Sequence, residues 1–198
     1  MKRWLLGAMV SAYAMGVHAD LTQVYHTFII FSEDLGARQW YNASGSGNPA
    51  LPASLGEFDF SQTLHLGGQA RTQDTGAGTT VTMFWRIREA DTANTVNFGD
   101  FSLPYRNTPS NYDRWEQHPV PGSTPGSTSH DVNLLDGLAA GDYDLSIWFN
   151  ATRGSTTVWD SDGGNNYNTS FSVIPEPGTM ALLGIGLLSA WGLRRRLR

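Results

Sequence analysis

The chain predicts an all-β, immunoglobulin-like β-sandwich on three observations: two-residue alternation in several segments, glycine-marked turns between them, and no long helical pattern between Asp20 and Ile174. Two segments of different character flank it. The expected organisation is a signal peptide at residues 1–19, a sandwich at 20–174 and a tail at 175–198 that contains a single transmembrane helix.

Met1-Lys2-Arg3 is a positive start, Trp4 to Val17 is apolar with small residues interspersed, and Val17-His18-Ala19 has the small-x-small pattern of a cleavage site. Cleavage between Ala19 and Asp20 is expected. Val24 to Phe31 then opens the fold as a nearly continuous apolar strand, and Thr63 to Leu66, Gln69 to Gln73 and Asn97 to Leu103 supply shorter ones. Farther on, Val81, Met83, Trp85 and Ile87 take one face of a strand while Thr82, Phe84, Arg86 and Arg88 take the other. Tyr143, Leu145, Ile147 and Phe149 likewise oppose Asp144, Ser146, Trp148 and Asn150. Tyr167, Thr169, Phe171 and Val173 form the inward set of a last strand.

Turns are expected at Gly67-Gly68, Thr75-Gly76-Ala77-Gly78, Gly137, Gly141 and Gly163-Gly164, because glycine reaches backbone conformations that turns require. Asn42 to Ser54 is rich in Gly, Ser, Ala and Pro, and Pro104 to Ser129 contains five prolines. Both read as long loops, the second packing Tyr105, Tyr112 and Trp115 over the sandwich edge.

The tail begins with Pro175-Glu176-Pro177-Gly178-Thr179, where the two prolines fix their own φ and hold Ile174 and Glu176 in extended conformations. Thr179 to Leu193 carries no charge, and as a helix it reaches only ~22 Å, short of the ~30 Å hydrocarbon core. Arg194, Arg195, Arg196 and Arg198 follow, a cluster that resists translocation and stays on the cytoplasmic side.

An N-terminal signal paired with Pro-Glu-Pro, a short apolar helix and terminal arginines resembles the PEP-CTERM class of exported bacterial proteins, whose C-terminal motif is also labelled an ice-binding protein C-terminal domain. The resemblance covers only about the last twenty-four residues. It implies that Pro175, Glu176 and Pro177 are recognised by an exosortase-type membrane protease and that Arg194, Arg195, Arg196 and Arg198 are the retention signal. It further implies a transient inner-membrane anchor with the domain in the periplasm, followed by cell-surface attachment or release, in bacteria that make exopolysaccharide. The ice-binding label says nothing about residues 20–174, whose irregular threonines lack the fixed coil period of a repetitive ice-binding solenoid.

Between the two signals, seven arginines stand against seventeen acidic residues, a net charge of −10. Nucleic acid and anionic lipid need clustered cations and are excluded as expected partners. Cysteine is absent, so stability must come from a packed core rather than disulfides. No Gly-x-Ser-x-Gly, His-Glu-x-x-His or phosphate loop is present, and His26, His65, His118 and His130 lack ligand-like spacing and read as surface or edge residues. Asp59, Asp113 and Glu116 are the carboxylates available for glycoside hydrolysis. The expectation is nonetheless a protein without enzymatic activity, cofactor or metal.

One internal stretch suggests binding chemistry: Trp159-Asp160-Ser161-Asp162-Gly163-Gly164-Asn165-Asn166-Tyr167, read as a hairpin. Similar hairpins occur in some starch-binding β-sandwich modules. An indole stacks on the apolar face of a sugar ring while amides bond its hydroxyls, so Trp148, Trp159 and Asn165 are the candidate carbohydrate-binding residues and exopolysaccharide the candidate ligand. The competing reading packs Trp159 and Tyr167 on the sandwich and leaves Asp, Gly and Asn to build a turn. A calcium loop starting at Asp160 fails, because Phe171 stands where the bidentate glutamate belongs. The functional expectation is an exported protein of the envelope, extracellular matrix or biofilm, with carbohydrate binding as the alternative.

Overall fold

The computed structural model describes residues 21, 23–73, 78–108, 112–119 and 132–176. The expected signal peptide with its Ala19–Asp20 junction, the transmembrane helix, Pro177, Arg194, Arg195, Arg196, Arg198 and His130 lie outside the described residues. Among the described residues, no helix is long and apolar enough to cross a membrane.

Those residues form two sheets facing each other across one core. The strands in chain order are β1 (Val24–Glu33), β2 (Gln39–Asn42), β3 (Ser54–Asp59), β4 (Leu64–Gln73), β5 (Thr79–Glu89), β6 (Thr95–Leu103), β7 (Tyr105–Asn107), β8 (Tyr112–Gln117), β9 (Val132–Asn133), β10 (Gly141–Arg153), β11 (Thr156–Asp160) and β12 (Tyr167–Ile174). The first sheet runs β2-β1-β4-β8-β7, with β9 also on β4. The second runs β3-β12-β10-β5-β6, with β11 also on β10. Pairing is antiparallel except for β3 on β12.

Alternation does what it predicts in the second sheet. Met83, Ile87, Leu145, Ile147, Phe149 and Phe171 are fully buried and meet Ile29 and Leu66 of the first sheet in a common core. Burial of side chains of this size contributes roughly 1.5–3 kcal/mol each, the largest favourable term available to a chain without disulfides.

Four expectations are corrected. Gly67-Gly68 is not a turn, because β4 runs straight through it. The glycines are there for close approach: a Cβ on Gly67 would lie 2.5 Å from the Gln117 carbonyl oxygen, and one on Gly68 2.5 Å from the Met83 sulfur. Second, Pro104 to Ser129 is not simply a loop. It contributes β7 and β8, and β8 lies between β4 and β7 with Trp115 buried and its indole N–H donating to Thr72 Oγ1 at 3.0 Å. Third, His65 and His118 are buried rather than exposed.

The Trp159–Tyr167 segment is not a hairpin either. β11 and β12 both pair antiparallel with β10 along the same edge, Phe149 opposite Asp160 and Ile147 opposite Tyr167. The chain therefore leaves the sheet at Ser161, makes a six-residue excursion and returns on the same line. The true hairpin joins β10 to β11 at Gly154, whose φ of 57° suits a tight reversal.

Candidate functional site

The outer face of the second sheet collects aromatic rings from four strands. With Val81, Met83, Trp85 and Ile87 turned inward, Phe84, Arg86 and Arg88 of β5 must face out, beside Trp148 of β10, Trp159 of β11 and Phe98 of β6. Phe84 and Trp148 stack with centroids 5.6 Å apart and planes 5° from parallel. Trp159 tilts against Phe84 at 5.8 Å, and Phe98 against Trp148 at 6.1 Å. The Arg86 guanidinium lies 5.9 Å from the Trp148 ring centre. Trp148 is thus enclosed and acts as a buttress, whereas Trp159 and Phe98, each 56% exposed, offer open surface.

Beside the rings lies a shallow concavity of about 580 Å³, lined by Arg86, Arg88, Asp144, Ser146, Asn165 and Asn168 among others. The excursion builds its wall. Gly163 and Gly164 have φ of 65° and 99°, which side chains disfavour, and Asn166 N–H donates back to the Ser161 carbonyl at 2.8 Å. Asn168 fixes this loop to the sheet: its Nδ2 donates to the carbonyls of Asn165 at 2.9 Å and Asn166 at 3.1 Å, while its Oδ1 accepts from Ser146 Oγ at 2.7 Å.

Asp160 locks the same region to the opposite sheet. Its Oδ2 accepts hydroxyls from Thr27 of β1 and from Ser44, both at 2.5 Å, and its Oδ1 accepts the Tyr167 hydroxyl. Burial, with the Asp160 hydrogen bond and charge, pushes the Tyr167 phenol well above its usual range, so it stays a donor. The three sequence candidates therefore share one face, Trp148 and Trp159 through Phe84, and Asn165 on the rim of the adjoining concavity. Tyr167 is half-buried against the core, as the competing reading expects, whereas Trp159 rests against Phe84 with 56% of its surface exposed. Phe84, Phe98, Arg86 and Arg88 complete the face. Alternation already placed three of them outward, but only strand order makes them neighbours of Trp148.

The outer face of the first sheet is different. Glu116 is buried there, held by the His118 ring and by Arg106 Nε and Arg114 Nε, each 3.5 Å from Oε2. Arg38 Nη1 donates to His118 Nδ1 at 2.8 Å, which leaves the ring proton on Nε2, toward Glu116. Burial raises the Glu116 carboxyl, but the His118 hydrogen bond and the nearby positive charges outweigh it and hold it below the usual glutamate range. Asp113 sits on the opposite face of β8, accepting from Thr108 Oγ1 at 2.5 Å. Asp59 is at an exposed turn, accepting from the backbone N–H of Ser61 at 2.8 Å and from its hydroxyl at 2.6 Å. The three carboxylates weighed for hydrolysis thus occupy three separate places. Among the described residues no cluster of three or more His, Asp or Glu has metal-binding geometry.

The sorting segment starts without a linker. Val173 is buried in β12, Ile174 ends the strand, and Pro175 and exposed Glu176 follow at once. No curated protein matches the chain. Residues 173–196 match the family model described as the PEP-CTERM protein-sorting motif, so the chain carries that motif at its C-terminus, and such a motif implies an exported, membrane-transiting protein recognised by an exosortase-type system.

Proposed function

We propose that this is a non-enzymatic exported protein of the cell envelope or extracellular matrix, whose immunoglobulin-like sandwich binds polysaccharide through the outer face of its second sheet. The observation that carries the binding half is the pairing of open Trp159 and Phe98 surfaces with a polar concavity on one rigid face. Strands about 4.8 Å apart spread the rings from β11 to β6 over roughly 14 Å, enough to take more than one sugar ring. Against hydrolysis stand the lowered Glu116 carboxyl, unsuited to a general acid, and Asp113 on the other side of the same strand.

The chain reaches that setting through its tail: Pro175, Glu176 and Pro177 engage the exosortase-type protease, the apolar helix is a transient inner-membrane anchor, and the terminal arginines hold in the cytosol until removal. Replacing Pro175-Glu176-Pro177 by alanines in a host carrying the matching protease should leave full-length precursor in the membrane fraction; unchanged processing removes the sorting claim. For binding, affinity electrophoresis of the detergent-solubilised full chain in gels containing different polysaccharides should show retardation by at least one of them. A Trp159→Ala, Phe98→Ala variant should run free, and identical mobility of the two proteins in every gel defeats the binding claim.

A further inference from the structure

The arginines of the two outer faces are treated differently. On the first sheet, Arg106 and Arg114 flank Glu116, Arg38 bonds His118, and Arg71 lies 4.6 Å over the Tyr112 ring. On the second, Arg86 and Arg88 are half-buried and form no ion pair with any described residue. The Nε atoms of both are buried without a hydrogen-bond partner among the described residues, as are those of Arg71 and Arg114 on the first sheet, so what sets Arg86 and Arg88 apart from Arg106 and Arg114 is the missing carboxylate. Two adjacent guanidiniums, outward at alternate positions of β5, thus line the concavity beside the rings without a carboxylate partner, Arg86 also lying 5.9 Å from the Trp148 ring centre. Asp144, opposite Arg88 on β10 and exposed, is the one carboxylate in the lining among the described residues, which leaves these groups with a surplus positive charge.

Resting on the glycan-platform reading above, we infer that the ligand is an acidic polysaccharide, a uronate-containing glycan whose ring stacks on Trp159 or Phe98 while its carboxylate is held by Arg86 and Arg88. A guanidinium offers a planar pair of N–H donors that matches a carboxylate, and the resulting charge-assisted bonds are stronger than hydroxyl contacts. The net charge of −10 over residues 20–174 repels a densely charged polymer such as nucleic acid. A uronate chain is compatible with it, because carboxylates more than about 8 Å from the groove are screened at physiological salt and the local arginines decide.

The test is titration calorimetry of the detergent-solubilised full chain with alginate, with carboxyl-reduced alginate as the neutral counterpart, and with oligo(dT). Alginate should bind about tenfold or more tightly than its reduced form, the factor expected for charge-assisted hydrogen bonds. Arg88→Gln should erase most of that preference. Asp144→Asn, at an exposed position that leaves the fold intact, should strengthen alginate binding several-fold, so a variant other than Arg88→Gln also reads the effect. Equal affinity for both alginates, with neither variant altering it, overturns the acidic ligand and leaves the platform standing. Tighter binding of oligo(dT) overturns it in favour of nucleic acid, and binding of neither alginate defeats the acidic ligand, while retardation by any neutral polysaccharide in the gels would leave the platform standing.

Discussion

The two outer faces of this sandwich are built from similar residues to opposite ends. The first sheet turns Phe28, Ile30, Gln69, Glu116 and His118 outward, yet all five are buried. Neighbouring segments cover them: a Cβ on Gly45 would stand 2.5 Å from the Phe28 ring, and Pro119 presses on Gly67. The second sheet turns outward Phe84, Phe98, Trp148 and Trp159 and leaves Phe98 and Trp159 open. On the covered face Arg106 and Arg114 share the Glu116 carboxylate, whereas on the open face Arg86 and Arg88 form no ion pair with any described residue. The lesson is that charged side chains mark a site by the partner they lack, since arginines gathered on a buried carboxylate stabilise a fold while arginines with no carboxylate beside open rings are available to a ligand.

The sharpest way to break the comparison is on the covered face. Glu116→Ala leaves Arg106, Arg114 and His118 facing an empty position and should cost about 3 kcal/mol in urea denaturation, as expected when one partner of a buried charge cluster is removed. The same carboxylate should give acid sensitivity. Because its folded pKa is depressed, its stabilisation is present above the ordinary value of 4.5 and is lost as pH falls through the folded value. Glu116→Gln should flatten that part of the stability profile; an unchanged acid limb assigns it to other groups. Gly67→Ala comes next, at about 2 kcal/mol, since the added methyl meets backbone of Gln117 and Pro119 rather than a movable side-chain tip. On the open face, Trp148→Ala should lower stability by about 1 kcal/mol through its lost stack on Phe84. Smallest of all, Trp159→Ala should shift stability by no more than about 0.5 kcal/mol while abolishing polysaccharide retardation. A large destabilisation by Trp159→Ala would make it a packing residue and erase the distinction between the faces.

Sequence reading succeeded where one face of a strand is apolar and the other polar. β5, β10 and β12 have that form, and their inward sets are the buried ones, apart from half-buried Tyr167. It failed at β8, where Asp113, Arg114 and Glu116 interrupt any apolar alternation and prolines crowd the surrounding segment. That strand lies inside a sheet because its polar groups find partners, a property of pairing that spacing does not carry. Gly67-Gly68 misled for a related reason: glycine serves close packing as readily as reversal, and only the position of Gln117 and Pro119 separates the two. Trp148, Trp159 and Asn165 were legible as one neighbourhood because they are near in sequence. Arg86, Arg88, Phe84 and Phe98 join them only through the β10–β5–β6 order. The C-terminal motif was fully legible, being a local pattern read by position rather than by fold.

The absence of a linker between β12 and Pro175 has a mechanical consequence. On the proposed membrane anchoring of the tail, any drag on the domain from flow or from the proposed polymer would be delivered straight to β12. That strand is gripped on one side by β10 and on the other by β3, so the load runs along it as shear shared by two ladders of hydrogen bonds. Shear must rupture many bonds at once, unlike peeling an edge, and the domain is therefore attached to its leash at a strand braced on both sides.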